Sequence, residues 1–209
     1  MIGNTTLIIE VLIFFTYPLV LLAEYISNFG EDEATVTREE VIAMAEMGED
    51  EGVLEEQETD IIENTLKLKD VKVKDIMTPR SVIFALKSDF TVGQVLEEHE
   101  TLDFTRIPIF EGNFDVIKGM VNRYEIINRK AEDQFSTRMH EISQEVPFVN
   151  ENDRIDKVLE LFIKNRDHMA LVEDDNDILT GLITLEDAIE TILGQEIVDE
   201  HDSVVDMRD

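Results

Sequence analysis

The hydrophobic pattern of the chain opens with a long apolar run. Residues 7–23 carry one charge, Glu10, and one proline, Pro18. Extended to Ile26, the run approaches the length of about 20 apolar residues that a membrane-spanning helix needs. Pro18 would kink such a helix, and Glu10 is costly inside a bilayer. The pattern therefore favours a kinked membrane segment that continues as an interfacial stretch over residues 19–29. A buried core helix is the alternative.

A helical pattern continues through an acidic stretch, residues 31–63, which holds 14 Asp or Glu residues and one Arg. Thr37 and Glu40 have the spacing of a capping box, in which the Thr oxygen accepts a backbone amide and the Glu reaches back. This predicts a helix over residues 38–47, which the glycines at positions 48 and 52 would end. Apolar residues at helical spacing predict a second helix over residues 54–68. We interpret the stretch as a helical linker.

The rest of the pattern is an internal repeat. Residues 118–127 match residues 180–189, and residues 106–110 match residues 168–172, at the same offset of 62 positions. Several matches in the same order are a strong sign of a duplicated structural unit. We call residues 71–135 the first copy and residues 136–196 the second copy.

Each copy predicts strand, helix, strand, strand and helix in that order. The first copy predicts strands over residues 82–86, 106–110 and 116–122 and helices over 91–99 and 124–130, with a turn at 111–115. The second copy predicts strands over residues 146–149, 169–173 and 178–184 and helices over 155–164 and 185–193. Gly194 stands where a left-handed C-terminal cap is needed. The predicted fold class is therefore α/β (α+β), with two βαββα repeats whose sheets pack about a pseudo-twofold axis and leave two clefts.

Composition narrows the function classes. The chain has 48 acidic and 18 basic residues, a formal net charge of -30, and no cysteine. A field of this sign repels phosphate backbones, so no nucleic-acid partner is expected. Without cysteine there are no disulfides, thiolate metal sites or cysteine nucleophiles. The acidic excess has two interpretations, a solvated surface or carboxylates that attract divalent cations.

The sequence contains no Gly-rich phosphate loop, no His-Glu-x-x-His motif and no nucleophile elbow. Its four histidines, His99, His140, His168 and His201, are scattered, and each is expected to be a surface residue. A metal site in the acidic tail, formed by Asp199, Glu200, His201 and Asp202, is a weaker alternative. We therefore expect no enzymatic activity and no catalytic residues.

Three motifs together resemble a known family. They are DIMTPR at residues 75–80, TRIPIFEG at 105–112 and GLITLEDA at 181–188. Paired repeats with such motifs are similar to CBS domain pairs, and more narrowly to the CorC / cyclin M (CNNM) group of membrane proteins, which is linked to magnesium export. Residues 17–28 resemble the juxtamembrane segment that ends the transmembrane domain of this group, and residues 194–202 resemble the stretch after its second CBS repeat.

The resemblance implies an organisation and a function. It divides the chain into a membrane or juxtamembrane segment (1–29), an acidic helical linker (30–70), CBS repeats (71–135 and 136–196) and an acidic tail (197–209).

The function that the resemblance implies is that of an adenine-nucleotide-sensing regulatory region of a membrane protein linked to magnesium or other divalent cation efflux. The CBS module would lie on the cytoplasmic side and form a homodimer, with residues 1–29 at the membrane. Family members carry several transmembrane helices before this segment, so we do not expect the chain alone to transport ions. The alternative is a stand-alone nucleotide sensor that regulates a separate partner and has no transport role.

Thr184 and Asp187 are the first candidate site residues. Thr184 ends a predicted strand and Asp187 lies one helical turn further on, so a hydroxyl and a carboxylate lie side by side. A carboxylate can accept both hydroxyls of a ribose, and the free amides of a helix start attract an anion. The alternative is that both residues only cap the helix. The resemblance favours ribose binding.

Thr78, Pro79 and Arg80 precede the first predicted strand, and the resemblance implies that they lie beside the adenine and the ribose. Arg106 stands where CBS pairs often present a cation to phosphates, which suits bidentate contact by arginine. Its alternative is a surface ion pair. The resemblance thus implies ATP, or AMP or ADP more weakly, with Mg²⁺ bridging the phosphates.

The two copies are predicted to differ as binding sites. Asn122 and Glu125 occupy the places of Thr184 and Asp187. Asn lacks the hydroxyl, and Glu is longer than Asp by one methylene group. We therefore predict one occupied cleft rather than two.

Overall fold

The computed structural model describes residues 16–18, 22 and 36–195. Contacts divide the chain into two compact units, Met1–Met47 and Gly48–Asp209. Most of the predicted membrane segment and the whole acidic tail, with its candidate metal site, lie outside the described residues. Among the helices within the described ranges, none is long and apolar enough to cross a membrane.

The structure contains the predicted helices and, in addition, a short helix α3 and a strand β1 that were not predicted. The helices are α1 (Arg38–Asp50), α2 (Glu56–Lys67), α3 (Val73–Ile76), α4 (Val92–Glu98), α5 (Arg123–Ala131), α6 (Ile155–Asn165) and α7 (Leu185–Leu193). The strands are β1 (Thr78–Pro79), β2 (Leu86–Lys87), β3 (Arg106–Glu111), β4 (Asn113–Asn122), β5 (Phe148–Asn150), β6 (Met169–Glu173) and β7 (Leu179–Thr184). Short 3-10 turns cover Arg80–Val82 and Met139–Glu141.

Helix α1 begins with the predicted capping box. The Thr37 amide donates to Glu40 Oε2 at 3.0 Å, and the Glu40 amide donates to Thr37 Oγ1 at 3.2 Å. The prediction that Gly48 ends the helix was wrong, because α1 continues to Asp50. The Gly48 carbonyl instead accepts the amides of Val53 and Leu54, so the chain turns only after the helix has passed this glycine.

One predicted strand and one predicted turn differ from the structure. Residues 82–86 were predicted as a strand, but this run holds the end of a 3-10 turn and only the first residue of β2. A short apolar run does not reveal its conformation by periodicity alone, and Phe84 packs on the core of the first copy outside any strand. The predicted turn at 111–115 is shorter, because Gly112 adopts φ +67 and lets β4 begin at Asn113.

The two sheets exchange their first segments. One sheet has the order β2-β3-β4, and the other has the order β1-β7-β6-β5. Strand β1 belongs to the first copy but pairs antiparallel with β7 of the second copy, Thr78 with Leu182. In return, Gln144 of the second copy forms a bridge to Met120 on β4 of the first copy. Each copy therefore completes the sheet of the other.

The buried side chains form three clusters. One cluster surrounds Ile107 and Ile109 of the first copy and includes Met139. Another surrounds Phe162 and Ile183 of the second copy and includes Val73 and Ile76. Leu68, just after α2, belongs to the cluster of the second copy. A third cluster contains side chains from both copies: Val146, Met169, Leu171 and Leu179, with Phe114, Ile117, Met120 and Leu182 packed against them.

Candidate functional site

The site is built at the junction of β7 and α7, where Thr184 is the N-cap of the helix. The Thr184 amide and hydroxyl donate to Asp187 Oδ2 at 2.7 Å and 2.8 Å, and the Asp187 amide donates to Thr184 Oγ1 at 3.2 Å. This is the capping arrangement given as the alternative to ribose binding, and such a cap stabilises a helix by about 0.5–2 kcal/mol. It also holds the Asp187 carboxylate in place at the start of α7. Ribose binding by this pair stays a prediction.

Arg106 reaches this junction from the first copy. It is the first residue of β3, and its side chain is 24% exposed. Its Nη1 atom lies 3.8 Å from Oε1 of Glu186, the residue between Leu185 and Asp187 on α7. This is the ion pair expected as the alternative to phosphate contact. The distance is too long for a hydrogen bond, so the guanidinium is attracted to the site without being fixed by it.

Thr78 and Pro79 reach the same strand from the N-terminal side of the first copy. They pair with Leu182 and Gly181, so they lie beside β7 two to three residues before Thr184. Both are half-buried. Strand exchange thus brings Thr78 and Pro79 to β7, the strand that ends at Thr184.

The Arg80 side chain contacts Phe114 of the first copy. Its Cζ atom lies 5.3 Å from the ring centroid of Phe114, on the β3–β4 hairpin of the first copy. A cation over an aromatic face is a favourable arrangement. Phe114 lies outside the three motifs, and Glu186 lies within GLITLEDA without being a predicted site residue.

The corresponding place in the first copy has different chemistry. Asn122 Oδ1 accepts the Tyr124 amide at 2.9 Å, so the asparagine caps α5. Glu125 Oε1 forms an ion pair with Arg129 Nη2 at 2.8 Å. In the second copy the residue aligned with Arg129 is Thr191, which donates to the Asp187 carbonyl at 2.8 Å. An arginine thus neutralises the carboxylate of the first copy, and its i, i+4 spacing from Glu125 was visible in the sequence.

Two ionisable side chains of the second copy have shifted pKa values. Backbone amides of Ile178 and Asn176 donate to Asp174 in the β6–β7 loop, and they lower the pKa of its carboxyl. Glu160 raises the pKa of Lys157 on α6 by a hydrogen bond and by its charge.

Within the described part of the chain, no three His, Asp or Glu side chains are grouped to hold a metal ion.

Comparisons with known proteins agree with this architecture. The sequence profile of the CBS domain matches residues 139–194. The magnesium and cobalt efflux protein CorC of Escherichia coli (strain K12) is 30% identical over 170 residues, which are 81% of this chain and 58% of that protein. The chain thus spans little more than half the length of this relative.

Solved structures give the same result. The CBS domain of a bacterial CNNM/CorC family Mg²⁺ transporter matches with a TM-score of 0.70 at 30% identity, over 78% of this chain and 99% of that domain. A structure of such a domain in complex with ATP matches with a TM-score of 0.63 at 29% identity, over 66% of this chain and 99% of that one. These relatives are an efflux protein and transporter domains, which supports the prediction that the chain is regulatory and not an enzyme. By its motifs, its fold and these matches, the chain belongs to the CNNM/CorC family of CBS-domain proteins.

Proposed function

We propose that this chain is the adenine-nucleotide-sensing regulatory region of a membrane protein that takes part in magnesium or other divalent cation efflux. One nucleotide binds in the second cleft, which we define as the cleft that contains Thr184 and Asp187. The efflux role draws on the name of the CorC relative, and the nucleotide on the ATP complex of the similar transporter domain.

The observation that carries the proposal is the approach of Arg106 from the first copy to the helix that Thr184 and Asp187 begin. In this arrangement Asp187 accepts the ribose hydroxyls, while Arg106 contacts the phosphates. Thr78 and Pro79, beside Gly181 on β7, contact the adenine and ribose. Each group of the ligand thereby has a partner of suitable chemistry.

Magnesium has a defined task in this proposal. The Glu186 carboxylate lies at the phosphate end of the site, next to Arg106, and would repel a triphosphate. Mg²⁺ binds phosphate oxygens readily and keeps several of its waters. It therefore reduces this repulsion for ATP, whereas AMP and ADP gain less from it.

A conformational change caused by the nucleotide is transmitted from the second cleft through α7 to α2. Helix α2 packs on α7, and the Asn64 side-chain amide donates to the Ile192 carbonyl near the end of α7 at 3.4 Å. A ligand that shifts the start of α7 changes the surface on which α2 rests. Because α2 belongs to the predicted linker, it leads toward the predicted membrane segment, residues 1–29.

The proposed assembly is a homodimer through the CBS pair, on the cytoplasmic side of the membrane. Exposed apolar side chains on the helices, namely Tyr124, Ile127 and Ile189, are available for such contacts. If residues 1–29 do not hold the chain at membranes in a fractionation experiment, the stand-alone nucleotide sensor becomes the better description.

Calorimetry with ATP tests the proposed site directly. We expect the wild type to bind one nucleotide per chain, more tightly with Mg²⁺ than without. Asp187→Ala should weaken binding at least tenfold, because the ribose hydroxyls lose their acceptor; two lost charge-assisted hydrogen bonds amount to about 3 kcal/mol. Glu125→Ala, the matched change in the first copy, should leave binding unchanged. Equal affinities for wild type and Asp187→Ala would refute the site, and a loss in Glu125→Ala would move it to the other cleft.

A further inference from the structure

A long irregular connection precedes the strand that carries Arg106. Helix α4 ends at Glu98 and β3 begins at Arg106, and residues 99–105 between them form what we call the α4–β3 loop. At the equivalent place in the second copy, α6 ends at Asn165 and β6 begins at Met169, so residues 166–168 are sufficient. Arg106 therefore follows a much longer loop than its counterpart does, and a longer loop has more conformational freedom to lose.

The second copy closes its short connection with backbone groups alone. Arg166 adopts a left-handed conformation with φ 64, and the amides of Arg166 and Asp167 both donate to the Phe162 carbonyl. Such a turn is a common way to end a helix. In the first copy, His99 follows α4 in an extended conformation instead, so the α4–β3 loop leaves its helix without this turn.

Arg123 holds the α4–β3 loop through its side chain. Its Nη1 atom donates to the Leu102 carbonyl at 2.8 Å and to the Asp103 carbonyl at 3.3 Å, and its backbone amide donates to the Thr105 carbonyl at 2.9 Å. The second copy has Leu185 at the equivalent position, with the same offset of 62, and leucine has no donor in its side chain. The two side-chain bonds thus belong to the copy that has the long loop.

These bonds hold the backbone on both sides of Arg106. Arg123 begins α5 directly after Asn122, the residue that pairs with Arg106 in the β3–β4 register. The Arg106 side chain then extends to α7, where its Nη1 atom lies 3.8 Å from Glu186 Oε1. Because this distance is too long for a hydrogen bond, the position of the guanidinium depends on the backbone from which it extends.

We propose that Arg123 is a positioning residue for the second cleft, which fixes the α4–β3 loop so that Arg106 meets the phosphates of a bound nucleotide. This inference rests on the proposed function. A ligand that must first order a loosened loop and its arginine binds less tightly. The two bonds from Arg123 remove part of that cost before the ligand arrives.

A double-mutant cycle tests whether Arg123 acts through Arg106. The variants are Arg123→Gln, Arg106→Ala and their combination. Arg123→Lys keeps the charge and can still donate to one carbonyl; it carries the test if Arg123→Gln does not fold. Lys130→Gln is the matched control, because it removes a positive charge from an exposed site on the same helix. Binding of ATP with Mg²⁺ and of adenosine, which has no phosphate, is measured by calorimetry for each folded variant.

We expect Arg123→Gln to weaken binding of ATP with Mg²⁺ by about two- to tenfold, the cost of ordering one more long side chain. Adenosine should bind as it does to the wild type, since Arg106 acts on phosphates. In the Arg106→Ala background, Arg123→Gln should have no further effect on ATP. Arg123→Lys should give a smaller loss, and Lys130→Gln none. Amide hydrogen exchange in residues 99–105 should be faster in Arg123→Gln.

Three results would overturn the inference while the proposed function stands, in a protein whose binding still depends on Asp187. The first is unchanged binding of ATP in a folded Arg123 variant. The second is an equal loss for ATP and adenosine, and the third is an equal loss in the wild-type and Arg106→Ala backgrounds; either would show that Arg123 acts only through the general stability of the first copy. If the folded wild type binds neither ligand, the proposed function fails, and this inference fails with it.

Discussion

At the scale of single residues, close backbone contacts explain why glycine recurs at the same place in both copies. A Cβ atom on Gly181 would lie 2.6 Å from the Thr78 carbonyl oxygen, and one on Gly119 would lie 2.4 Å from the Gln144 carbonyl oxygen. Real Cβ atoms essentially never approach so closely. Both contacts are made by the exchanged segments, so each glycine allows the sheet of one copy to accept a segment of the other.

The substitution Gly181→Ala is expected to destabilise the protein. The added methyl group would meet the Thr78 carbonyl and Met77 Sδ, which would separate β1 from β7. We expect the free energy of unfolding to fall by about 1–3 kcal/mol, as for other overpacked sites. Urea unfolding measures it. Gly48→Ala is the control, because its methyl group would meet only the flexible end of the Leu54 side chain, at 3.2 Å. A Gly181→Ala protein as stable as the wild type would contradict the strand contact.

At the scale of elements, helix α2 has a role that its sequence did not reveal. Residues 54–68 were correctly predicted to be helical and were interpreted as a linker, because the stretch is acidic and precedes the repeat. In the structure α2 packs on α7, and Leu68 is buried with the core of the second copy. Helical periodicity shows that a helix has an apolar face, but it does not show which surface covers that face.

The docking of α2 on α7 can be tested through Asn64. Asn64→Ala removes the hydrogen bond to the Ile192 carbonyl, and a hydrogen bond of this kind contributes about 0.5–1.5 kcal/mol. We expect faster amide hydrogen exchange in residues 56–67 and an unchanged rate in α4 of the first copy. Thr65→Ala, an exposed site on the same helix, is the control. Exchange in α2 that matches the wild type would show that this bond does not hold the helix.

How much could be predicted differs between the elements and the site. Capping boxes, repeated strands and the Gly194 cap are local signals, and Gly194 indeed adopts φ +70. The exchange of first segments was not predicted, because pairing between β1 and β7 joins residues about a hundred positions apart. The approach of Arg106 to Glu186 likewise joins residues of different copies. The residues of the candidate site were therefore accessible from motifs, while their partners were not.

At the scale of the whole molecule, the formal charge of -30 affects stability. Repulsion among like charges opposes the compact state, and salt screens it. We expect the nucleotide-free protein to melt a few degrees higher at about 0.5 M NaCl than at about 0.05 M, where the Debye length exceeds 10 Å. MgCl₂ at matched ionic strength should give the same melting temperature if the surface is merely solvated. A clear excess with Mg²⁺ would favour the other interpretation, carboxylates that bind divalent cations.

The exchanged segments also bear on how the two copies diverged after duplication. Gly119 and Gly181 remain identical, and each accommodates a segment from the other half. Asn122 and Glu125, by contrast, differ from Thr184 and Asp187 only three and six residues after those glycines. Because each half completes the sheet of the other, both halves need a glycine at this contact, whereas the residues at the start of the following helix can differ. The two halves are thus alike where they meet, and the predicted difference between the two clefts lies where each following helix begins.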